Sequence, residues 1–434
     1  MYALGMDIGT TSLAAVLIDV ESGEVIDGYT AQNDTRITAE SWARLQDVQG
    51  IWEIAKYLKG RLSNKKIDCI GLTGQMHGLL YTDSEGNALS PLYTWQDCRG
   101  DLVRSNGQTY TQSLSAEVGK NLATGYGAVT HSYNLDNGLV PENAKWAMTI
   151  QDYIGMKLVG QHLPQMHISN SESFGAPNWV KLASMIRTTD KNVSIGSTAE
   201  GIPVAVALGD NQASFIGSVR SSIDSVLINM GTGGQISVQA NDAATDYPDV
   251  DSRPHVDGET LLVGYSLCGG YAYEILEALF REVAALSGVQ CGPLYEKMNA
   301  LASQPLEDRL TVSTQFLGTR TNPEIRGAIW DISDRNLTPA HLVQAVLQSV
   351  VDELLVPYRN MCKSIKRQPT VLVGSGNGIR RNPVLKKMFE DALGIPMDIP
   401  LHQEEAAYGA ALFSAVACGK YDSLSEVQKV IRYC

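Results

Sequence analysis

The chain has 434 residues, of which 44% are hydrophobic and 19% are charged, and its formal net charge is −13. This length exceeds what one hydrophobic core normally holds, so we expect two domains, residues 1–220 and 221–434, with the boundary near residues 218–224. The negative charge argues against binding to nucleic acid or to an anionic membrane surface, so an anionic ligand would need local hydrogen-bond donors.

Cysteine usage and the start of the chain bear on the compartment. Seven cysteines are scattered without a C-x-x-C pair, which indicates neither a disulfide framework nor a zinc site. The first residues enter an apolar segment without the basic and apolar regions of a signal peptide, and no apolar run is long enough to span a membrane. We therefore expect a protein of the reducing cytoplasm.

The first predicted element is a β-hairpin. An apolar strand from Tyr2 to Ile8 runs into Gly9-Thr10-Thr11-Ser12, and a second apolar strand follows from Leu13 to Val20. Glycine lets backbone N–H groups approach a phosphate closely, and the hydroxyl groups add further donors. Asp7, before the turn, offers the hard oxygen that Mg²⁺ or its water ligands need beside a phosphate.

A helix and a second loop come next. Apolar residues at helical spacing between Trp42 and Leu62 predict an amphipathic helix. The strand from Ile67 to Leu72 then leads into the glycine-flanked segment Gln75-Met76-His77, whose side chains offer the donors, acceptors and apolar surface that a polyol needs. In isolation, however, a histidine is more often a structural hydrogen-bonding group and a methionine more often fills a core.

A tryptophan, an aspartate and an arginine alternate at Trp95, Asp97 and Arg99, and in an extended segment they would share one side. Asp97 can accept from two hydroxyls, Arg99 can donate through its planar fork, and the indole can cover sugar carbons. Asp97 could equally hold Arg99 in place. The structural alternative is a buried tryptophan beside a surface ion pair of small energetic value.

An aspartate stands at the junction of a strand and a helix. Asp210 follows the apolar stretch Ile202 to Leu208 and precedes a predicted helix that begins with Asn211. Aspartate is a preferred helix cap, which is one interpretation. The other is a general base, because a carboxylate within reach of a hydroxyl can accept its proton during phosphoryl transfer. The two roles are compatible.

The hairpin pattern recurs in the second half of the chain. Strands from Val226 to Met230 and from Ile236 to Val238 enclose Gly231-Thr232-Gly233, and Asn229 takes the place that Asp7 has in the first copy. A repeat at this distance indicates two halves of related topology. Two such turns facing each other could hold a polyphosphate between them.

A late strand from Thr370 to Val373 ends in Gly374-Ser375-Gly376-Asn377, before Asn382 and a predicted helix from Pro383 to Leu393. The density of glycine favours close approach of the backbone to a nucleotide, although an ordinary loop is the structural alternative. In an α/β sheet, ligands bind outside the carboxyl ends of the strands, so these loops are expected to line one crevice.

Taken together, the motifs resemble the FGGY carbohydrate kinases of the actin/hexokinase-like ATPase superfamily, and among them the xylulokinase and sedoheptulokinase branches. The matching segments run in order along essentially the whole chain: Met6–Ser12, Gly71–Gly78, Thr94–Arg99, Ala123–Gly127, Gln151–Ile154, Leu208–Ala213, Gly231–Gln235, Arg326–Ile329, Gly374–Asn377 and Glu405–Ala411. The resemblance implies an α/β fold of two ribonuclease-H-like domains with a central cleft, and an enzyme that uses ATP and Mg²⁺.

The resemblance also implies roles for individual residues. Asp210 would be the catalytic base, and Asp7 would hold Mg²⁺ through water. Sugar binding falls to Gln75, Met76, His77, Trp95, Asp97, Arg99 and Asn211. ATP binding falls to Gly9, Thr10, Thr11, Ser12, Gly231, Thr232, Gly233, Gly374, Ser375, Gly376, Asn377 and Asn382. Arg326 and Lys181 are charged residues without an assigned role.

Met76-His77 resembles the ketose kinases, whereas glycerol kinases place Arg-Glu after the glutamine. The sequence therefore predicts phosphorylation of a ketose, of sedoheptulose or xylulose type, at its terminal primary hydroxyl. The alternatives are a catalytically silent sugar or nucleotide sensor of the same fold, and a kinase for another polyol such as ribulose or glycerol. The expected partners are the sugar and ATP, and a homodimer is left open.

Overall fold

The structure is a computed structural model that describes residues 1–63, 65–241, 247–319, 322 and 324–434. The chain divides into two compact units: unit 1 is Met1–Arg220, Arg253–Glu259 and Glu404–Arg432, and unit 2 is Ser221–Ser252, Thr260–Gln403 and Tyr433–Cys434. The first crossing from unit 1 to unit 2 falls inside the region 218–224. Two later segments belong to unit 1, an arrangement that a single boundary does not describe.

Unit 1 is a mixed α/β unit. Its strands are β1 (Tyr2–Ile8), β2 (Ser12–Asp19), β3 (Glu24–Gln32), β4 (Arg36–Ile37), β5 (Leu45–Gln46), β6 (Cys69–Gly74), β7 (Leu80–Thr82), β8 (Leu92–Tyr93), β9 (Trp146–Met148), β10 (Met166–His167), β11 (Thr188–Thr189), β12 (Ser194–Ser197), β13 (Pro203–Ala205) and β14 (Leu208–Gly209). Its α-helices are α1 (Val48–Leu62), α2 (Tyr110–Val118), α3 (Gly127–Asp136), α4 (Ile150–Leu158), α5 (Ile168–Glu172), α6 (Asp210–Ser218), α12 (Glu405–Ala417) and α13 (Leu424–Val427).

The main sheet of unit 1 has the order β12-β13-β6-β1-β2-β3, and β14 also pairs with β6. The strands β1 and β2 form the predicted antiparallel hairpin, and β1 runs parallel to β6. Burial on both faces explains why β1, β2 and β6 are almost continuously apolar.

Unit 2 repeats this arrangement. Its strands are β15 (Ser225–Met230), β16 (Gly234–Ala240), β18 (Thr260–Ser266), β19 (Thr311–Ser313), β20 (Ala328–Trp330), β21 (Val371–Ser375) and β22 (Met397–Asp398), and β17 (Asp251–Pro254) is the strand on which the chain passes to unit 1. Its helices are α7 (Gly270–Leu286), α8 (Tyr295–Ala302), α9 (Pro339–Ile365), α10 (Asn377–Arg380) and α11 (Pro383–Leu393). The sheet contains β18-β16-β15-β21-β22 in that order.

The predicted amphipathic helix is shorter than its apolar pattern. Helix α1 begins at Val48 because Asp47 caps it, accepting from the backbone N–H groups of Gln49 and Gly50. Trp42 lies before this cap, and Leu45 belongs to β5, so the prediction that the helix begins near Trp42 is wrong. None of the helices in the described ranges is long and apolar enough to cross a membrane.

Helix α12 packs on α6 and the sheet of unit 1 at backbone contact distance. A Cβ atom at Gly409 would lie 1.9 Å from the carbonyl oxygen of Ala213 on α6, and one at Gly5 would lie 1.8 Å from that of Ala407 on α12. Both neighbours are backbone atoms, which cannot move aside as a flexible side chain can. The apolar residues of α12, such as Leu412 and Phe413, are completely buried.

We expect Gly409→Ala to lower the free energy of unfolding by about 3 kcal/mol, because the added methyl group must displace the α6 backbone. Gly60→Ala is the matched control, since Gly60 lies in α1 with nothing within 4 Å of its Cβ position. Alanine should stabilise that open helical site by up to about 1 kcal/mol. Thermal and denaturant unfolding measure both; equal stabilities of the two variants would refute the close packing.

Candidate active site

Three strand ends in unit 1 lie in register. Strand β1 pairs in parallel with β6 so that Ile8 is opposite Gly74, and β14 pairs in parallel with β6 so that Gly209 is opposite Gly74. The chain leaves these strands at the turn after Ile8, the loop after Gly74 and the start of α6. Three segments that are distant in sequence are therefore brought to one edge of the sheet, where ligands of α/β sheets bind.

Carboxylates gather at this edge. Burial raises the pKa of Asp7 to about 7, and the negative charges of Asp210 and Glu404 add to the rise. The Oδ1 atom of Asp7 is buried and, among the described residues, has no hydrogen-bond partner. Glu404 accepts from the hydroxyl of Thr30 at 3.1 Å. The edge thus holds negative charge that a cation would stabilise.

Asp210 is the first residue of α6, and its cap position is taken by Gly209, which has an extended backbone. The capping interpretation of Asp210 is therefore wrong. Burial raises the pKa of its carboxyl to about 6, while the charge of Arg253 and the backbone N–H of Asn211 act in the opposite direction. Asn211, the second residue of the helix, is buried. A carboxylate with a pKa near 6 is ionised at neutral pH and basic enough to accept a proton.

The turn of the first hairpin is hydrogen-bonded to the predicted sugar residues. The Thr10 hydroxyl donates to Gln75 Oε1 at 3.2 Å and accepts from the indole nitrogen of Trp95 at 3.0 Å. Gln46, which sequence analysis did not single out, joins them: its Oε1 accepts from Gln75 Nε2 at 2.9 Å and its Nε2 donates to the Thr10 carbonyl at 2.8 Å. Gln75, Trp95 and Thr10 therefore form one cluster.

Met76 extends this cluster towards Asp210, and His77 follows it in the loop. A Cβ atom on Gly209 would lie 2.7 Å from the sulfur of Met76, so this side chain packs against the residue before Asp210. His77 has a positive φ of 70°, which is uncommon for a residue other than glycine. Its ring stacks on Tyr126 with centroids 4.6 Å apart.

The alternation predicted for Trp95, Asp97 and Arg99 is wrong. The segment is a turn rather than a strand, so Trp95 is 45% exposed whereas Asp97 and Arg99 are buried. Both carboxylate oxygens of Asp97 accept hydrogen bonds, Oδ1 from Arg99 Nε at 2.7 Å and Oδ2 from the Arg44 backbone at 3.0 Å. In this structure Asp97 holds Arg99 in place, and Arg99 lies over the ring of Tyr93. Direct sugar binding by Asp97 or Arg99 stays a prediction.

Unit 2 gathers its own glycine loops. Parallel pairing of β15 with β21 sets Asn229 opposite Ser375. The turn Gly231-Thr232-Gly233 after β15 accepts hydrogen bonds from the backbone of Gly270 and Tyr271 at the start of α7, each at 3.0 Å. The hairpin turn, the β21 loop and the N-terminus of α7 are therefore held together by backbone contacts.

The β21 loop requires glycine at its centre. Gly376 has a φ of 80°, and a Cβ there would lie 2.5 Å from the carbonyl oxygen of Met230. The hydroxyl of Ser375 is buried and, within the described ranges, lacks a hydrogen-bond partner. Gly374 is the last residue but one of β21, Asn377 begins α10, and Asn382 caps α11 by accepting from Leu385 N at 3.0 Å.

The remaining residues of the first turn are less enclosed. Gly9 accepts from the side-chain amide of Asn33 at 2.9 Å through its carbonyl oxygen, while Thr11 is exposed. Ser12 is the first residue of β2. The side chain of Thr11 therefore faces solvent, whereas the Thr10 hydroxyl is engaged by Gln75 and Trp95.

The residues around Asp7 suit a magnesium ion that is bound mainly through other ligands. The buried and unpartnered Oδ1 atom is a hard oxygen ligand, and the neighbouring carboxylates favour a cation. Within the part of the chain that the structure describes, no group of three or more His, Cys, Asp or Glu side chains could hold a metal by itself. Mg²⁺ commonly binds through one or two carboxylates together with water and substrate phosphates, which fits this set.

Several residues of this region were not predicted from the sequence. Arg253 lies on the segment 253–259 that belongs to unit 1, where the Pro254 carbonyl accepts from Gln212 Nε2 of α6 at 2.8 Å. Its signal in the sequence is a single arginine far from Asp210, which only the tertiary fold brings close. The same holds for Gln46 and Glu404.

Comparisons with known proteins find similarity over most of the chain. The model of the N-terminal domain of the FGGY family of carbohydrate kinases matches residues 2–175, and that of the C-terminal domain matches residues 226–418. The chain is 28% identical to a sedoheptulokinase of Mus musculus, covering 94% of this chain and 96% of the relative, and 22% identical to a xylulose kinase of Staphylococcus xylosus, covering 99% and 93%.

Among solved structures, the crystal structure of a xylulose kinase from Rhodospirillum rubrum superposes with a TM-score of 0.85 at 21% identity, covering 100% of this chain and 93% of the other. At this identity the likeness establishes the fold, which is that of the actin/hexokinase-like ATPases. The two domain models together match most of the sequence. The chain therefore belongs to the FGGY family of carbohydrate kinases.

Proposed function

We propose that this carbohydrate kinase transfers the γ-phosphoryl group of ATP to the terminal primary hydroxyl of a ketose, with Asp210 as the general base. The observation that carries the proposal is the meeting of Asp210, Asp7 and the Gln75–His77 loop at one sheet edge, with Asp210 close enough to raise the pKa of Asp7. A proton acceptor, a metal ligand and a set of polyol-binding groups are the components that phosphoryl transfer to a sugar requires.

Each group has a distinct chemical task. Asp210 accepts the proton of the attacking hydroxyl, and the nearby charge of Arg253 helps keep its carboxylate ionised before the reaction. Asp7 would hold Mg²⁺ through water, and the ion when bound would neutralise charge on the phosphates. The glycine turn of each unit offers backbone N–H groups suited to phosphate, and in unit 2 the β21 loop offers a close approach of the backbone to a nucleoside.

The sugar class follows from the Gln75 cluster. Gln75 and Trp95 offer polar contacts and an indole face, and Met76 offers an apolar surface beside Gly209. A linear sugar held by this cluster would extend one end towards Asp210, where a primary hydroxyl is the least hindered nucleophile for in-line attack. The sedoheptulokinase and xylulose kinase relatives agree with a ketose, and we rank D-sedoheptulose and D-xylulose as near equals.

Asp210→Asn should lower kcat by roughly 10²- to 10⁴-fold, the usual contribution of a general base, while sugar affinity is retained. The amide keeps the size of the side chain but cannot accept the proton. Coupled ADP release measures kcat, and calorimetry measures sugar binding. Asp422→Asn, on an exposed residue of the same unit, is the control and should leave kcat unchanged. A kcat for Asp210→Asn that matches this control would refute the role as base.

The same carboxyl predicts the pH dependence. Because burial raises the pKa of Asp210 to about 6 and only the ionised form accepts a proton, kcat should fall about tenfold per pH unit below that value. Arg253→Gln removes a neighbouring positive charge and should move this acid limb to higher pH. An acid limb that stays in place in Arg253→Gln would show that this arginine does not act on the base.

Asp7→Asn should raise the Mg²⁺ concentration for half-maximal velocity by roughly 10- to 100-fold, as a titration of initial velocity with Mg²⁺ will measure.

The same substitution should also stabilise the ligand-free protein, and the gain in stability should grow as the pH rises from about 4 to about 7. The folded wild type holds the Asp7 proton up to about pH 7, whereas the unfolded chain releases it near 3.8, so the wild type loses stability across that window. Unfolding temperatures at pH 5 and pH 8 test this; a gain that is constant with pH would contradict it.

A panel of glycerol, xylulose, ribulose and sedoheptulose at fixed ATP and Mg²⁺ tests the substrate class. We expect a ketose to have the highest kcat/KM and the new phosphate ester to lie on the terminal carbon distant from the ketone, as phosphorus-coupled NMR of the product will reveal. Preference for glycerol, or a phosphate on C1 beside the ketone, would show that the orientation of the sugar is wrong. Absence of ADP release with every sugar of the panel would favour the catalytically silent sensor.

A further inference from the structure

One buried segment, His167–Ser173, contacts both the sugar loop and the residues that directly precede Asp210. It comprises the last residue of β10, helix α5 and the residue after it. Ser169, Asn170 and Ser173 are each no more than 6% exposed. A short, polar and buried segment needs hydrogen-bond partners for its side chains, and here those partners include the backbones of the two active-site segments.

At one end the segment holds the backbone before Asp210. The backbone N–H of Gly209 donates to Ser169 Oγ at 3.2 Å, and Asn170 Nδ2 donates to the carbonyl oxygen of Ala207 at 3.0 Å. These two contacts fix the peptide groups on both sides of Leu208. The direction in which α6 starts, and with it the position of the Asp210 carboxylate, depends on them.

The hydroxyl of Ser169 is oriented by a histidine. His167 Nδ1 accepts from the Ser169 backbone at 3.2 Å and lies 2.9 Å from Ser169 Oγ, so this hydroxyl donates to the ring and presents its lone pairs to Gly209. That direction requires a neutral ring. Burial lowers the pKa of His167 to about 4, which keeps the ring neutral around neutral pH.

At the other end the segment holds the sugar loop. His77 N donates to Ser173 Oγ at 3.0 Å, and His77 Nδ1 donates to the Ser173 carbonyl at 2.6 Å. The Ser173 hydroxyl in turn donates to the Asn170 carbonyl at 2.6 Å. The positive φ of His77 is therefore stabilised by contacts with this one residue and by stacking on Tyr126.

Between the ends lies a fully buried amide and carboxylate network. Asn170 Nδ2 donates to both oxygens of Asp152 at 3.2 Å, and Asn170 Oδ1 accepts from Gln151 Nε2 at 3.0 Å. Gln151 also donates to the carbonyl of Gly74, the residue before Gln75, at 3.4 Å. Asn170 thus bonds directly to the backbone before Asp210 and, through Gln151, to the backbone before Gln75. Its four side-chain contacts restrict its movement relative to both.

We propose that Ser169, Asn170 and Ser173 are positioning residues that couple the sugar loop Gln75–His77 to the backbone of Asp210, so that ordering of the loop by sugar orders the base. The inference rests on the proposed role of Asp210. It assigns no chemical step to the three residues, which act through His77 and Gly209.

Two single substitutions probe the two ends. Ser169→Ala should lower kcat roughly 5- to 20-fold with a smaller rise in the sugar KM, because it removes one buried hydrogen bond to Gly209 and, through the segment, loosens the sugar loop. Ser173→Ala should raise the sugar KM by a similar factor with a smaller effect on kcat. Ser171→Ala is the matched control: Ser171 is buried in the same segment, and within the described ranges its hydroxyl bonds only to the Ile168 carbonyl. Unfolding temperatures verify that all three variants fold.

Coupling is tested by the double variant Ser169→Ala/Ser173→Ala. If one segment links the two ends, releasing one end already loosens the other, and kcat/KM should fall by less than the product of the two single losses. Losses that multiply, or single variants that match Ser171→Ala, would overturn the proposal. Asp210→Asn is measured in the same series: if it alone keeps full activity the proposed function fails, whereas a silent Ser169→Ala beside an inactive Asp210→Asn refutes only the coupling.

Hydrogen exchange at the Gly209 amide gives a readout that needs no turnover. In the ligand-free protein, Ser169→Ala should accelerate this exchange at least tenfold, since the amide loses its acceptor, and Ser173→Ala should accelerate it as well, although Ser173 does not touch Gly209. Ser171→Ala should leave it unchanged. If Ser173→Ala has no effect on the Gly209 amide, the two ends are independent and the coupling is wrong.

Discussion

The parallel pairing of β6 with both β1 and β14 is the constraint on which the site of unit 1 depends. Because Ile8, Gly74 and Gly209 are opposite one another across these ladders, the residues that follow them must emerge at the same edge. A slip of one residue in either pairing would invert the side-chain directions along the strand and separate Asp7 from Asp210. Helix α12 packs against one face of this sheet through close contacts at glycine, and this packing stabilises the same strand register.

Burial of carboxylates at that edge costs stability in the absence of a cation, and the raised pKa values of Asp7 and Asp210 express this cost. Arg253 offsets part of it for Asp210 alone. Such an arrangement is poorly suited to structure and well suited to a site that receives Mg²⁺ and a proton in turn. The second hairpin has Asn229 at the matching position, so unit 2 carries the glycine turn without the charge.

Sequence alone predicted what is encoded locally. Both glycine hairpins, the strand before Gln75, the strand before Gly374 and the helix after Asn382 lie where the apolar pattern and the turn residues placed them. The prediction of an extended segment around Asp97 was wrong because the chain forms a turn at Trp95, which breaks the alternation of side-chain directions.

Other features depend on tertiary contacts. Arg253 reaches Asp210 only because a segment of seven residues, Arg253–Glu259, belongs to unit 1, and Ser169 and Ser173 bond to backbone atoms, which carry no sequence signal. The start of α1 at Val48 was missed for a different reason, since the apolar spacing continues through its cap.

Thr10 was predicted to bind phosphate, but its side chain is hydrogen-bonded to residues that were predicted to bind the sugar. Its hydroxyl belongs to the turn that was predicted to bind phosphate, yet it donates to Gln75 and accepts from Trp95, both predicted to contact sugar. A hydroxyl has one proton to donate, so Thr10 cannot donate to Gln75 and to a phosphate oxygen at once. If the Thr10 hydroxyl donates to a phosphate oxygen instead, Gln75 Oε1 is released to accept a hydrogen bond from a sugar hydroxyl. Binding of the nucleotide phosphates would then complete the sugar site through this change in the acceptor of one hydrogen bond.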